Sequence, residues 1–554
     1  MTDFGEEARR RRLAPELRAD LLLVAAVSLV SVAAGMLLMK VTGVVGGDTP
    51  AHTYKTELMR AGKSIFWDDR WYGGVYGPIH YGPIYYWLAA FVPEVLISLV
   101  SAASLPVVFL LYLRASRRGR GRLAGLALAG VMSIYLTYGQ EPFLLAMAVT
   151  MVGMAVLAAG RPVLAALPIG LALFINPLAL SIAGPLLLAD FIAQPDVRRR
   201  YLVCAFALTP FLALDAALTV LFWQPSWYYD QVSVIRAVLL FCAAGILLSW
   251  SSKADKAHPW RVFFVVYALF CLVTFALPAM AFGNNVARTF QLLGLPLLLA
   301  IEGVRLPRWV SVPVIVIVGL AQLAGPVNNY LHPAWFEASR ESFWSPPLSV
   351  LDGLNDSQHR LHVVATKKHA EAYFVPRAGY AITRGWFRQD DAVHNELFTR
   401  HFHEGEYVAW LRRMGVEFVL LPHVALDPTS TREPTILASS PAFVVVADEP
   451  EWTLYRLVGA EPLVRPLSSP GAAGGGVATV DDLDTSLVSL RLPAPGVYEV
   501  KVSWSPYWSV VEGEATLARS EDGFVLVRAG AAGPLVLELT VTPGTIADRV
   551  RSIL

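Results

Sequence analysis

The sequence predicts a mostly α-helical protein that crosses a membrane many times and ends in a mixed α/β region followed by a β-sandwich. Three observations predict it: an apolar composition, long apolar runs up to Gly325, and strand-length runs beyond. Of 554 residues, 55% are hydrophobic and only 16% charged. Mean hydropathy is +0.50, far from a soluble composition.

Eleven apolar runs approach the ~20 residues that span a bilayer: residues 21–39, 93–113, 123–137, 143–159, 163–175, 178–193, 201–222, 232–250, 262–282, 286–301 and 309–325, several of them short. Basic residues collect on alternate connections, at Arg9 to Arg12 and Arg18, then Arg114 to Arg122, Arg161, Arg198 to Arg200, Lys253 to Arg261, and Arg305 with Arg308. By the positive-inside rule the N-terminus is cytoplasmic and the chain after Gly325 is outside. The first outer loop is a mild exception, with Lys55, Arg60, Lys63 and Arg70. No small-residue cleavage site follows the first run, so it reads as a retained helix. These features predict a multi-pass protein of a plasma membrane, with the membrane lipids as its surroundings.

Cys204, Cys242 and Cys271 all fall in apolar runs, where they pack as small hydrophobes. They offer neither a disulfide framework nor a zinc ribbon. A net charge of +1 gives no footprint for nucleic acid.

The membrane region is taken as 1–326, and an α/β domain as 327–467. Strands are predicted at LHVVAT (361–366), EFVLLP (417–422) and FVVVAD (443–448), with a helix near 406–414. A glycine-rich linker follows at 468–476; it lacks the Lys-Ser/Thr ending of a phosphate loop. Beyond it, in 477–554, Tyr498, Val500, Val502 and Trp504 alternate with polar residues, as do Leu535, Leu537, Leu539 and Val541. This period of two predicts a small antiparallel sandwich.

The first outer loop, 41–92, holds Asp48, His52, Asp68, Asp69 and His80 among glycines, prolines and aromatics. Loops on a rigid scaffold concentrate chemistry, so the active site is expected here. Each residue also has a plainer use. Asp48 before Thr49-Pro50 suits a helix N-cap; Asp68 and Asp69 suit a solvated turn; His80 and Tyr81 suit a packed aromatic loop. Glu141, at the tip of a short outer connection, favours a helix dipole. Asp215, inside an apolar run, needs a partner or a polar cavity. WQPSWYYD (223–230), with Trp227, suits an interfacial belt or a sugar-stacking surface, and His394, His401 and His403 fit no standard metal spacing.

Several short motifs resemble the GT-C superfamily of membrane glycosyltransferases, and within it the bacterial YfhO-like and 6-pyruvoyl-tetrahydropterin synthase-related membrane families. They are GDTPAH (47–52), W-x(3)-W-Y-G-G ending at Gly74, YGPIYY (81–86), YGQEPFLLA (138–146), NNVARTFQLLGLPLLLA (284–300) and YEVKVSWSPYWSV (498–510). Glu141 departs from the family pattern, which has its carboxylate after the proline. No pterin chemistry is implied, since the soluble synthase's zinc spacing is missing.

The resemblance implies inverting transfer of a sugar from a polyprenyl-phosphate donor to an envelope glycan, lipid or protein on the outer face. Catalytic roles fall to Asp48 and Glu141. Substrate contacts fall to His52, Asp69, His80, Trp227, Arg288 and Arg236; Arg288 is the first choice for phosphate, because guanidinium matches it in bidentate geometry. Asp48 could also take a divalent cation such as Mg or Mn. The competing readings are a transporter or lipid flippase and a non-catalytic envelope scaffold. No internal repeat of the transporter kind is visible.

Overall fold

The computed structural model describes residues 3–77, 81–116, 119–223, 232–253, 258–277, 282–354, 357–386, 395–467 and 476–553, with side chains from residue 15 onward. The chain divides into two compact units. One comprises Met1–Thr49, His80–Ala217 and Trp227–His332; the other comprises Pro50–Ile79, Leu218–Ser226 and Pro333–Leu554.

All eleven apolar runs form helices. They are α1 (Asp3–Thr42), α4 (Glu94–Ala115), α5 (Gly121–Tyr135), α6 (Glu141–Ala158), α7 (Pro162–Leu173), α8 (Ala179–Ala193), α9 (Arg198–Leu221), α10 (Val232–Ser251), α11 (His258–Ala276), α12 (Arg288–Ala300) and α13 (Arg308–Leu331). Two further helices, α2 (Thr49–Arg60) and α3 (Pro83–Phe91), lie within the first loop.

Length separates the eleven helices. Among the described residues, seven helices are long and apolar enough to cross a membrane: α1, α4, α6, α9, α10, α11 and α13. At 1.5 Å per residue, the 13 residues of α12 reach only about 20 Å, against ~30 Å of hydrocarbon. Local chemistry stops the short helices. Gly139 turns left-handed (φ 68°) past the end of α5, and the Asn176 side chain accepts from the Leu178 amide across the proline break between α7 and α8.

Burial ranks the long helices. The apolar window of α6 is 61% buried and that of α9 only 6%, so α6 is the inner helix and α9 offers nearly its whole surface to its surroundings. Small residues permit close packing. A Cβ at Gly35 of α1 would fall 2.0 Å from the Ser133 carbonyl oxygen on α5, and one at Gly153 of α6 would fall 2.5 Å from Ile169 of α7. The buried Asp190 of α8 is compensated by Tyr201 (2.9 Å), Gln194 (2.8 Å) and Tyr112 (3.3 Å), as a carboxylate at that depth requires.

The second unit carries the predicted strands. A mixed sheet runs β1 (Arg360–Val363), β2 (Val416–Pro422), β4 (Trp452–Leu457), β3 (Phe443–Glu449); β1 and β2 are parallel and the other pairs antiparallel. A helix at Glu404–Arg413 packs on it, its first turn closed by the Glu406 carboxylate accepting from the His403 amide at 2.9 Å. The sandwich is two four-stranded antiparallel sheets, ordered β10-β11-β8-β5 and β6-β7-β12-β9. They comprise β5 (Val464–Pro466), β6 (Thr479–Leu483), β7 (Leu487–Leu492), β8 (Gly496–Ser503), β9 (Trp508–Glu512), β10 (Ala515–Arg519), β11 (Phe524–Ala529) and β12 (Gly533–Leu539). Tyr498, Val500, Val502, Leu535, Leu537 and Leu539 are buried between them, as alternation predicts, while Val541 is exposed.

The reading of Asp68 and Asp69 as a solvated turn is wrong: both are fully buried. Asp68 pairs with buried Lys55 at 2.7 Å, and Asp69 accepts from the Trp67 indole at 2.7 Å. Trp67 and Tyr76 belong to the sandwich core. The Trp71 indole donates to the Ala372 carbonyl at 3.0 Å. The basic residues of the loop are likewise occupied, with Lys63 (2.8 Å) and Arg70 (3.3 Å) both on Asp484. W-x(3)-W-Y-G-G is thus a structural spine of the second unit, its turn made by positive φ at Tyr72, Gly73 and Gly74. The glycine-rich 468–475, together with His394, lies outside the described residues.

Candidate functional site

The candidate site is a corner of the helical unit, built by the backbone before any side chain contributes. After α1 the chain turns through Gly46 and Gly47 and docks on the 3-10 turn Leu136–Tyr138 that ends α5. The Gly47 amide donates to Thr137 O (3.2 Å) and the Asp48 amide to Tyr138 O (3.0 Å). Glycine is needed on both sides of this contact, since a Cβ at Gly46 would lie 2.4 Å from the Gly139 Cα, and one at Gly139 would lie 2.6 Å from Thr49 Oγ1. The GGD of the first loop and the YGQE before α6 are therefore two halves of one joint.

That joint brings the two predicted carboxylates to the same place. Asp48 immediately precedes α2, and the next residue, Thr49, donates its hydroxyl to Glu141 Oε1 at 2.7 Å. Glu141 opens α6, followed by Pro142, a position at which proline loses no helical hydrogen bond. Its other oxygen, Oε2, is buried without a hydrogen-bond partner.

Arg288 closes the corner from α12. It is only 3% exposed, and its Nη2 lies 4.0 Å from Asp48 Oδ2. Asn285, three residues earlier, accepts from its Nε at 2.8 Å, and the guanidinium sits over the Phe143 ring at 4.6 Å. Nη1 is buried with no hydrogen-bond partner. A guanidinium held this firmly, with one donor unspent, is arranged to receive an anion. It also donates to the hydroxyl of Tyr81, whose pKa is pushed up to about 12 by burial and by the neighbouring Asp48. Tyr81 thus stays a neutral phenol throughout the ordinary pH range.

Not every predicted residue joins this corner. His52, on α2, and Asp69 are both buried and belong to the second unit. Burial raises the Asp69 carboxyl well above the usual carboxylate range, more than the Trp67 bond lowers it. Arg236 lies exposed near the start of α10. His80 and Trp227 lie outside the described residues. Sequence reasoning missed Thr49, Asn285 and Phe143 as neighbours of the candidate groups, and it took Tyr81 for packing. Asn285 was signalled by its place one turn before Arg288; Thr49 and Phe143 carried no signal without the joint.

Among the described residues no group of three or more His, Cys, Asp or Glu is placed to hold a metal ion. The Asp48 carboxylate faces the Arg288 guanidinium. No step below is routed through a divalent cation.

No family model matches the chain, so the narrower likeness to the YfhO-like families gains nothing from that comparison, and no curated protein matches its sequence. Among solved structures it is similar to the cryo-EM structure of the arabinofuranosyltransferase AftD from Mycobacteria, with 16% identity and a TM-score of 0.46. The alignment covers 83% of this chain and 42% of that one, so the chain spans less than half of that protein's length.

Proposed function

We propose that the chain is a GT-C-type glycosyltransferase of a bacterial plasma membrane, moving a sugar from a polyprenyl-phosphate donor to a glycan, lipid or protein acceptor on the outer face. The observation that carries this reading is the buried Arg288 guanidinium, with an unspent donor, facing the Asp48 carboxylate at 4.0 Å. The positive-inside pattern supports the orientation, with Asp48 and Arg288 at the outer ends of their helices.

In the proposed reaction the acceptor hydroxyl attacks the anomeric carbon as its proton passes to Asp48. The bond from that carbon to the phosphate oxygen breaks with inversion, and the electron pair leaves with the phosphate. Arg288 stabilises the charge that develops there, the role in which a preorganised cation in a low-dielectric site is most effective. Glu141, tied to Thr49, holds the Asp48 loop in register, and Tyr81 holds Arg288.

The test is direct: purified protein with a polyprenyl-phosphate sugar and a hydroxyl acceptor should release polyprenyl phosphate and glycosylate the acceptor. A transporter or flippase would move the donor between leaflets without cleaving it. Flipping without cleavage would overturn the proposal.

A further inference from the structure

The far end of the α5 and α12 pair holds a cavity of about 360 Å³, lined by Arg114, Arg120, Arg122, Leu123, Leu126 and Glu302 among others. It lies at the start of α5, whereas the Asp48 corner lies past its end, about 22 Å away along its 15 residues. The cavity exists because the chain turns tightly there. Gly119 adopts φ 69°, a Cβ on it would meet the Ala300 carbonyl oxygen at 1.8 Å, and the Arg120 amide donates to that same oxygen at 3.2 Å. This contact pins the cavity wall to the end of α12.

The lining is split by chemistry. On one side are three guanidinium groups. Arg114 is bonded to the largely buried Asp20 of α1, and Arg122 lies 3.5 Å from the other Asp20 oxygen. Arg120 is exposed and pairs with no acid among the described residues. Three guanidinium groups against the carboxylates of Asp20 and Glu302 leave the cavity positive. The other side is Leu123 and Leu126; Leu123 is 40% exposed on the surface of a helix in the membrane unit. A ligand matching both sides has an anionic phosphodiester at one end and hydrocarbon at the other.

We propose that this cavity binds an anionic phospholipid, its headgroup phosphate on Arg120 and Arg122 and the start of its acyl chains along Leu123 and Leu126. Arginine grips phosphate through paired donors, and basic pockets between membrane helices favour such headgroups. The site requires only that the helices cross a bilayer. It does not depend on sugar transfer, so its failure and that of the proposed reaction are separate results.

The full chain is purified, stripped of lipid in detergent, offered equal phosphatidylglycerol and phosphatidylcholine, and its retained lipid counted by native mass spectrometry. Phosphatidylglycerol should be retained about tenfold over phosphatidylcholine, because both carry the phosphodiester but only phosphatidylcholine adds an ammonium that the guanidinium groups repel, and Arg120→Gln with Arg122→Gln should remove the preference. Leu126→Trp leaves every arginine in place and fills the apolar side; it should cut retention even where the arginine variant fails to fold. Equal retention of the two lipids would overturn the proposal, as would a preference indifferent to these variants. Full displacement by glycerol 1-phosphate would also overturn it, marking a site for soluble phosphate, as would occupancy by a co-purifying acidic protein in place of lipid.

Discussion

Asp48 and Arg288 face each other across 4.0 Å, one on the loop after the first helix and the other at the start of α12. The contact leaves Arg288 Nη1 unspent. It also separates two readings of Asp48, because a helix cap needs only a short acceptor whereas a base needs the ionised carboxylate. Asp48→Asn should leave stability within about 1 kcal/mol of the parent's and lower sugar transfer by about 100-fold or more. Normal turnover in a variant that melts like the parent would leave Asp48 a cap and move the search for the base to Glu141.

Arg288→Gln keeps a hydrogen-bonding side chain but removes the charge and the stacking on Phe143. Donor affinity should fall by about 10- to 100-fold, the scale of hydrogen bonds to a charged group. Arg305→Gln, exposed on the connection after α12, should have no effect. Equal small changes in KM for the two variants would remove Arg288 from the donor site.

The glycine joint gives a prediction that does not touch a charged group. Gly139→Ala adds a Cβ 2.6 Å from Thr49 Oγ1 at a residue with φ 68°, so the Asp48 loop must shift. A displacement of ~1 Å can cost two orders of magnitude in rate, and transfer should fall by at least about tenfold with a modest loss of melting temperature. Gly130→Ala, whose Cβ meets nothing within 4 Å, is the matched control and should retain full activity.

The second unit should show its own pH dependence through His369, which is buried between Glu371 (3.2 Å) and Asp427 (3.3 Å). Burial alone would lower its pKa, but the bonds with Asp427 and Glu371 outweigh burial and raise it. A histidine raised above its unfolded value stabilises fully below about pH 6.5 and loses that stabilisation as pH rises through the folded pKa. The gap in melting temperature between the parent and His369→Gln should be widest near pH 6 and narrow as the buffer becomes alkaline. A constant gap would mean that the ring does not titrate over this range.

Orientation is tested by single cysteines at Glu521, exposed in the sandwich region, and at Arg305. The three native cysteines are buried and give little background. An impermeant maleimide should label position 521 and not 305 in intact cells; the reverse would invert the topology.

What the sequence by itself determined was whatever depends on local pattern. Apolar length placed all eleven helices, and alternation along 498–502 and 535–539 named the inner face of the sandwich, because hydrophobic burial acts on every residue of a periodic stretch at once. Asp48, Glu141 and Arg288 were each legible as charged groups beside apolar runs. Their meeting was not legible, nor was the burial of Asp68 and Asp69. Both depend on close approaches between distant segments: Gly46 against Gly139 in one unit, and Trp67 and Trp71 packed into the second unit in the other. Composition cannot separate a solvated acid from a buried, paired one. The cost of desolvating the carboxylate is offset only by partners such as Lys55 and the Trp67 indole, and tertiary structure alone supplies them.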